Sequence, residues 1–314
     1  MKNVWLELKK KKNKAPILAL APLAGYTDSA FRLICKNFGA DVVYSEMASV
    51  TALYYESEKT LDLLKFCKKE KPYIVQLFGS DPAHFVKAVK IIEKEIKPDG
   101  FDINFGCPVK KVLKQGAGAR LMSNLKLSRE IIENVLKSTK LPLSVKIRTE
   151  SFSIGALEFV KNISDLPVSA LMVHGRTLKQ LFSGPIDLKI IKEIKDNFSG
   201  VVLANGGINN FKEIEGLVQA TGVDGVGIGR GALGRPWIFS DKCSNLNQTE
   251  LKDLIFKTAY KHLKLIKKNK GEAGLGEFKG HLAWYFKDFA GASSLRAKIM
   301  NAKSFSEIEN IIKA

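Results

Sequence analysis

Short runs of aliphatic and β-branched residues recur along the chain, separated by stretches whose apolar positions repeat every three or four residues. The runs are Ile17 to Leu20, Val42 to Ser45, Tyr73 to Leu77, Phe101 to Asn104, Leu143 to Lys146, Ala170 to His174, Val201 to Asn205 and Val226 to Gly229. An unbroken apolar run bounded by turn residues is the pattern of a strand covered on both faces, as in a parallel sheet. Between the runs, Phe31, Ile34, Cys35 and Phe38 share one helical face, and Ser128 can cap a helix that carries Ile131, Ile132 and Val135. Each strand is followed by enough chain for a crossover helix and two loops, so the pattern predicts an α/β fold, a (β/α)8 TIM barrel. The widest gap, after the fourth strand, holds Cys107 to Leu121 with Gly116 and Gly118 and predicts a long loop at the strand's exit.

Beyond Phe239 the strand signal stops. Leu251, Leu254, Ile255, Ala259 and Leu263 recur at helical spacing, and Gly271 to Gly276 break the pattern. The expected organisation is a barrel over residues 1–242 and a small C-terminal α-helical domain over 243–314. In that domain the stretch His281, Trp284, Tyr285, Phe286 and Lys287 could meet a polyanion or be packed core, with core favoured for the aromatics, and the basic run from Lys9 to Lys14 could touch RNA but reads rather as a solvated tail.

Composition narrows the class. With 45% apolar and 26% charged residues over 314 positions, the chain can bury a large core and is not a disordered or fibrous protein. The longest apolar stretch, Ala15 to Tyr26, is interrupted by prolines and is short of the ~20 residues that span a bilayer, so a cytoplasmic protein without membrane contact is expected. Cys35, Cys67, Cys107 and Cys243 form no C-x-x-C pair, and His84, His174, His262 and His281 form no H-x-x-x-H pair, which leaves no expected metal site. A net charge of +18 suits a polyanionic partner and equally suits a lysine-rich proteome.

Polar and glycine-rich groups stand at the exits of nearly all the strands, where barrel enzymes build their sites. They are Pro22-Leu23-Ala24-Gly25, Ser45-Glu46-Met47, Gln76, Asn104 with Cys107, Lys146 with Arg148, His174-Gly175-Arg176, Asn205-Gly206-Gly207 and Gly229-Arg230. The last two groups follow strands seven and eight, where backbone N–H groups and an arginine can hold a phosphate. Lys146 and His174 point to ligand contact, since a lysine in a barrel mouth is costly without an anion or electron-rich oxygen beside it. Gln76 offers a donor and an acceptor to the edge of a planar, amide-like ring. Cys107, stiffened by Pro108, can act as a nucleophile or as a general acid toward carbon.

Taken in order, Ala21-Pro22-Leu23-Ala24-Gly25-Tyr26-Thr27-Asp28, Ser45-Glu46-Met47, Gln76-Leu77-Phe78-Gly79, Asp102-Ile103-Asn104-Phe105-Gly106-Cys107-Pro108, His174-Gly175-Arg176-Thr177 and Gly227-Ile228-Gly229-Arg230-Gly231 resemble the tRNA-dihydrouridine synthases, most closely their bacterial B-type branch. The resemblance implies a monomeric FMN enzyme that takes hydride from NADPH and reduces the C5–C6 double bond of a uridine in tRNA. By motif, Pro22, Leu23 and Ala24 would line the flavin ring, Gln76 and Lys146 would meet its polar edge, and His174, Asn205, Gly206, Gly207, Gly229 and Arg230 would hold ribityl and phosphate. Cys107 would give the proton to C5, Asn104 would hold the uracil, and Arg176, Gln180 and Arg296 would face the tRNA. Leu23 and Gly207 depart from the methionine and aspartate frequent at these positions. A flavin dehydrogenase of free pyrimidines would share the barrel but need no basic helical appendix, and a flavin-bearing RNA binder without chemistry would not depend on Cys107.

Overall fold

The computed structural model describes residues 3–287, 289 and 291–313. The eight apolar runs pair in chain order as parallel strands: β1 (Ile17–Leu20), β2 (Val42–Tyr44), β3 (Tyr73–Phe78), β4 (Gly100–Asn104), β5 (Leu143–Arg148), β6 (Ala170–His174), β7 (Val201–Asn205) and β8 (Gly225–Ile228). β8 pairs back onto β1 with Ile17 beside Gly225 and Leu20 beside Ile228, which closes the expected barrel. A two-residue strand, Ala48–Ser49, also runs beside Leu77 and Phe78, and a small antiparallel pair joins Glu150–Ser151 to Ile154–Gly155. Neither is long enough to show a period in sequence.

Alternation along the strands sorts the side chains into two shells. One residue set faces the helices around the barrel, among them Val43, Val75, Phe101, Val145, Leu171 and Val202. The other set fills the barrel and includes Ile17, Ala19, Val42, Tyr44, Ile74, Ala170, Met172, Val201 and Leu203. Val4, Trp5 and Leu8 join this inner cluster, with Trp5 fully buried.

The basic N-terminal run is therefore not a solvated tail. Residues Val4–Lys12 form a helix whose N-terminus is capped by the Asn3 side chain. Its apolar face packs with the barrel interior, and Lys9 and Lys12 pair at 2.8 and 3.0 Å with Asp224 and Asp41, just before β8 and β2. Three apolar positions among many lysines leave too weak a period to reveal that face.

The C-terminal region folds as helices Gln248–Lys270, Leu275–Tyr285, Ala292–Asn301 and Phe305–Lys313 around their own core of Ile255, Leu263, Phe278, Leu282, Phe305 and Ile308. Tyr285 and Phe286 belong to this core, as their pattern suggested, whereas Trp284 and Lys287 reach the mouth of the barrel. The region is tied to the barrel through Asp28, which caps helix Ser29–Phe38 and lies 3.2 Å from His281 Nε2. Burial acts to raise the Asp28 carboxyl, but His281 and His262 overcome it and hold the group below the ordinary carboxylate range.

Helix Ser29–Phe38 is held from its other side by a fully buried ion pair between Arg32 Nε and Glu70. The Arg32 guanidinium also donates to the Thr27 carbonyl at 2.6 Å and the Lys65 carbonyl at 2.9 Å, so it braces the loop that follows β1. Removing one partner of a buried pair leaves the other charge uncompensated and costs about 3–5 kcal/mol. Glu70→Ala is expected to lose that much in urea unfolding, and a loss below about 1 kcal/mol, the range of a surface pair, would contradict the account.

Candidate active site

Strand register assembles the site. Asn104 lies beside Lys146, and Arg148, His174, Asn205 and Gly227 follow one another across β5 to β8. These positions end their strands on the same side of the barrel, so groups far apart in sequence converge there. They open into a cavity of about 580 Å³, well within the range of small-molecule sites. Pro22, Leu23, Ala24, Gln76, Asn104, Cys107, Lys146, His174, Arg176, Asn205, Gly206, Gly207, Gly229 and Arg230 all line it. Gln180 and Arg296, also singled out from sequence, do not. Gln180 accepts from the Thr177 N–H at 2.9 Å inside its own loop, and Arg296 donates to the Phe286 carbonyl at 2.7 Å, at the end of helix Leu275–Tyr285.

No carboxylate lines this cavity among the described residues, although Lys146, Arg148, Arg176 and Arg230 do. Burial and the neighbouring Arg148 lower the Lys146 ammonium to about 8 despite the attraction of Asp102. Burial, with Lys146, Arg148, Arg176 and Arg230 around it, lowers His174 to about 2. The Arg148 guanidinium falls to about 10, mainly by burial. Burial is the largest cause of each depression and the neighbouring cations add to it, so an anion entering the cavity would be favoured.

The backbone supports the same reading. Gly206 and Gly207, at the exit of β7, have φ of +104° and +75°, and a Cβ on Gly206 would lie 2.9 Å from the His174 ring and 3.1 Å from Arg176 Nη1. Only glycine allows the chain to turn there beside those side chains. Asn205 is fixed from both sides, accepting from Lys146 Nζ at 3.0 Å and donating to the Gly227 carbonyl at 2.6 Å.

Cys107 sits at the start of the long loop after β4, beside β5 and within electrostatic reach of Arg148 and Lys146. The Asn104 side-chain oxygen accepts the N–H groups of Gly106 at 3.0 Å and Cys107 at 2.9 Å, while Arg148 Nε donates to the Gly106 carbonyl at 2.7 Å. The thiol is half-buried, and burial raises it above its ordinary value, against a hydrogen bond from the Val109 backbone and the attraction of Arg148 and Lys146. It is thus a thiol, not a thiolate, at neutral pH, which suits a proton donor better than a nucleophile.

Several lining residues were not assigned roles from sequence. Arg148 lies two residues beyond Lys146 on the same strand face and also donates to the Thr177 and Leu181 carbonyls at 3.0 and 2.9 Å, joining the Cys107 loop to the loop after β6. Its i+2 spacing was the available signal. Phe182, in that second loop, lies under the Arg230 guanidinium at 4.3 Å, and Trp284 donates to the Tyr26 hydroxyl at 3.3 Å. Nothing local in sequence marks either as a cavity residue.

A (β/α)8 barrel whose C-terminal mouth gathers several cations, a protonated cysteine and apolar residues such as Pro22, Leu23 and Ala24 has the architecture of a barrel enzyme. The chain belongs to the dihydrouridine synthase family, whose model matches residues 19–313. It is 32% identical over 296 residues to a probable tRNA-dihydrouridine synthase of Aquifex aeolicus, covering 92% of each chain. It is 33% identical to tRNA-dihydrouridine synthase B of Xanthomonas campestris, covering 92% of this chain and 90% of the relative. With the corresponding B enzyme of Pseudomonas aeruginosa the identity is 34% over 90% and 87% of the two chains. Among solved structures, histamine dehydrogenase from Rhizobium sp. 4-9 shares the fold at a TM-score of 0.56 and 12% identity, covering 79% of this chain and 49% of that one. TcOYE with pHBA shares it at 0.50 and 13%, covering 71% and 87%. Among the described residues no helix is long and apolar enough to cross a membrane.

The depressed histidine has a measurable consequence. Unfolded His174 takes up its proton near 6.5 and folded His174 near 2, so between these values the unfolded chain binds the extra proton and stability is lost as pH falls. In protein stripped of small ligands, His174→Gln is expected to flatten the fall in unfolding free energy between about pH 6.5 and 5 by up to ~1.4 kcal/mol per pH unit. Parallel urea-unfolding profiles for the two proteins would contradict the assignment.

Proposed function

We propose that the chain is an FMN-dependent tRNA-dihydrouridine synthase that reduces the C5–C6 bond of a uridine with NADPH as reductant. The observation that carries this reading is the cavity itself, which brings together several cations, the paired glycines after β7, a protonated cysteine and the apolar Pro22, Leu23 and Ala24. These residues fit FMN. His174, Asn205, Gly206, Gly207, Gly229 and Arg230 would hold its ribityl chain and phosphate, Pro22, Leu23 and Ala24 would underlie the ring, and Gln76 and Lys146 would meet its polar edge. When bound, FMN supplies to uracil C6 the hydride it has taken from NADPH.

Cys107 supplies the matching proton to C5. Its thiol is held protonated by burial, it loses that proton as negative charge develops on the carbon, and solvent restores it afterwards. Asn104 holds the uracil edge beside it. The net change is one hydride and one proton added across the double bond.

A stacked uridine cannot enter such a mouth, so the nucleotide must be extruded while basic groups hold the surrounding backbone. Arg176 lines the approach. Gln180 and Arg296 would meet the tRNA with the donors that remain after their backbone contacts. Residues 243–314 form the tRNA-binding domain in this reading and residues 1–242 the catalytic barrel. The proximity of Trp284 and Lys287 to the cavity supports a role for the helical region in holding the nucleotide.

Loss of a positioned general acid costs roughly 10²–10⁴-fold. Cys107→Ala is expected to slow dihydrouridine formation in unmodified tRNA by at least ~10²-fold, read by nucleoside mass spectrometry, and a wild-type rate would defeat the reading. Separately, affinity for tRNA is expected to fall more than about tenfold between roughly 50 and 200 mM salt. Binding that ignores salt would remove the electrostatic part of the account.

A further inference from the structure

Beneath the cavity, the register of β3, β4 and β5 sets Gln76, Asp102 and Ser144 side by side. Asp102 is fully buried and does not line the cavity. Its two oxygens accept from Gln76 Nε2 and from Ser144 Oγ, each at 2.7 Å. Among the described residues none of the ion pairs involves it directly, and Lys146 acts on it only through space. Elsewhere the inside of the barrel is packed with residues such as Ala19, Ile74 and Leu203. Burying a carboxylate among them costs several kcal/mol unless its hydrogen bonds compensate, so its presence calls for a role that an apolar residue could not fill.

That role follows from the direction of the hydrogen bonds. An ionised carboxylate only accepts, so the Gln76 amide must turn its NH2 toward Asp102 and its oxygen away. Gln76 Oε1 then accepts from Asn104 Nδ2 at 2.9 Å, which turns the Asn104 oxygen outward to receive the N–H groups of Gly106 and Cys107. The two ends of an amide are nearly alike in size, so sterics alone would not stop either side chain from turning over. Turned over, Asn104 would set its NH2 against two backbone N–H donors, and the Cys107 segment would have to withdraw. Burial raises the Asp102 carboxyl to about 6, against the hydrogen bonds from Ser144 and Gln76 and the charge of Lys146, which leaves it ionised at neutral pH.

We propose that Asp102 is a positioning residue that, through Gln76 and Asn104, fixes the main chain at Cys107 and thereby the aim of its thiol. This inference rests on Cys107 being the proton donor. It assigns Asp102 no contact with substrate or cofactor. Its effect is to select one of two amide orientations twice in succession, and only an acceptor at position 102 selects the one seen.

The test is Asp102→Leu, which keeps a similar volume in the apolar barrel and removes both acceptors, while Ser144 Oγ keeps the Phe101 carbonyl as its partner. With full-length protein and unmodified tRNA, kcat for dihydrouridine formation is expected to fall about 10²-fold, as for a misplacement of about 1 Å, while KM for tRNA stays at the wild-type value. In the same variant, hydrogen exchange at the Gly106 and Cys107 amides is expected to accelerate about tenfold, the equivalent of one lost hydrogen bond. Iodoacetamide labelling of the Cys107 peptide, followed by mass spectrometry, is expected to change rate as well. Wild-type kcat together with wild-type exchange at those amides would overturn the proposal. An active Cys107→Ala enzyme would instead defeat the proposed function, whereas an inactive Cys107→Ala beside a fully active Asp102→Leu would defeat the positioning role alone. If Asp102→Leu does not fold, the wild-type protein decides: slow exchange at Gly106 and Cys107 supports the relay, and exchange at unprotected rates overturns it.

Discussion

Parallel strands in register, closed into a barrel, oblige alternate side chains to meet inside it, and the site is built on that constraint. Because β5, β6 and β7 end level with one another, Arg148, His174 and Asn205 stand side by side and Lys146 faces Asn205. The result is a group of buried or half-buried cations whose cavity, among the described residues, has no carboxylate in its lining. Burial first, and repulsion between neighbouring cations in addition, lowers Lys146, Arg148 and His174. An anion removes that penalty, so binding and local stability are coupled at this end of the barrel. The opposite end needs no such partner, since Trp5 and its helix fill it with apolar side chains.

The same register divides labour across the mouth. Cations line the mouth, and beside two of them burial keeps a thiol protonated against the pull of Arg148 and Lys146. Arg148 serves both parts, since it lines the cavity and also anchors the Gly106 carbonyl and the loop after β6. The helical C-terminal region is not remote from this arrangement. Trp284 and Lys287 reach the cavity, and the buried Asp28–His281 contact fixes that region against the loop leaving β1.

Much of this was legible in the sequence for definite physical reasons. Strands buried on both faces read as continuous apolar runs, so the eight barrel strands emerged with boundaries close to those observed, and their exits marked the lining residues from Pro22 to Arg230. What sequence left out depends on contacts between distant segments. The helix at Val4–Lys12 shows only three inward residues, too few to distinguish from a lysine-rich tail. Phe182 enters the cavity because its loop folds over it, and Trp284 because its helix, Leu275–Tyr285, reaches the mouth. Gln180 and Arg296 carry the right chemistry for RNA, yet their best-defined contacts are with the backbone carbonyls and N–H groups of their own neighbourhoods. Asp102 lay within the quoted motif around Cys107, but its role appears only once Gln76 and Ser144 are seen on either side of it.

The central claim is that the cationic cavity holds a flavin that passes reducing equivalents from NADPH to tRNA. The most direct measurement is the near-ultraviolet and visible absorbance of the purified protein, followed without oxygen through addition of NADPH and then of unmodified tRNA. The account predicts flavin bands that bleach with NADPH and return with tRNA. A colourless protein that cannot be reconstituted with FMN would contradict it.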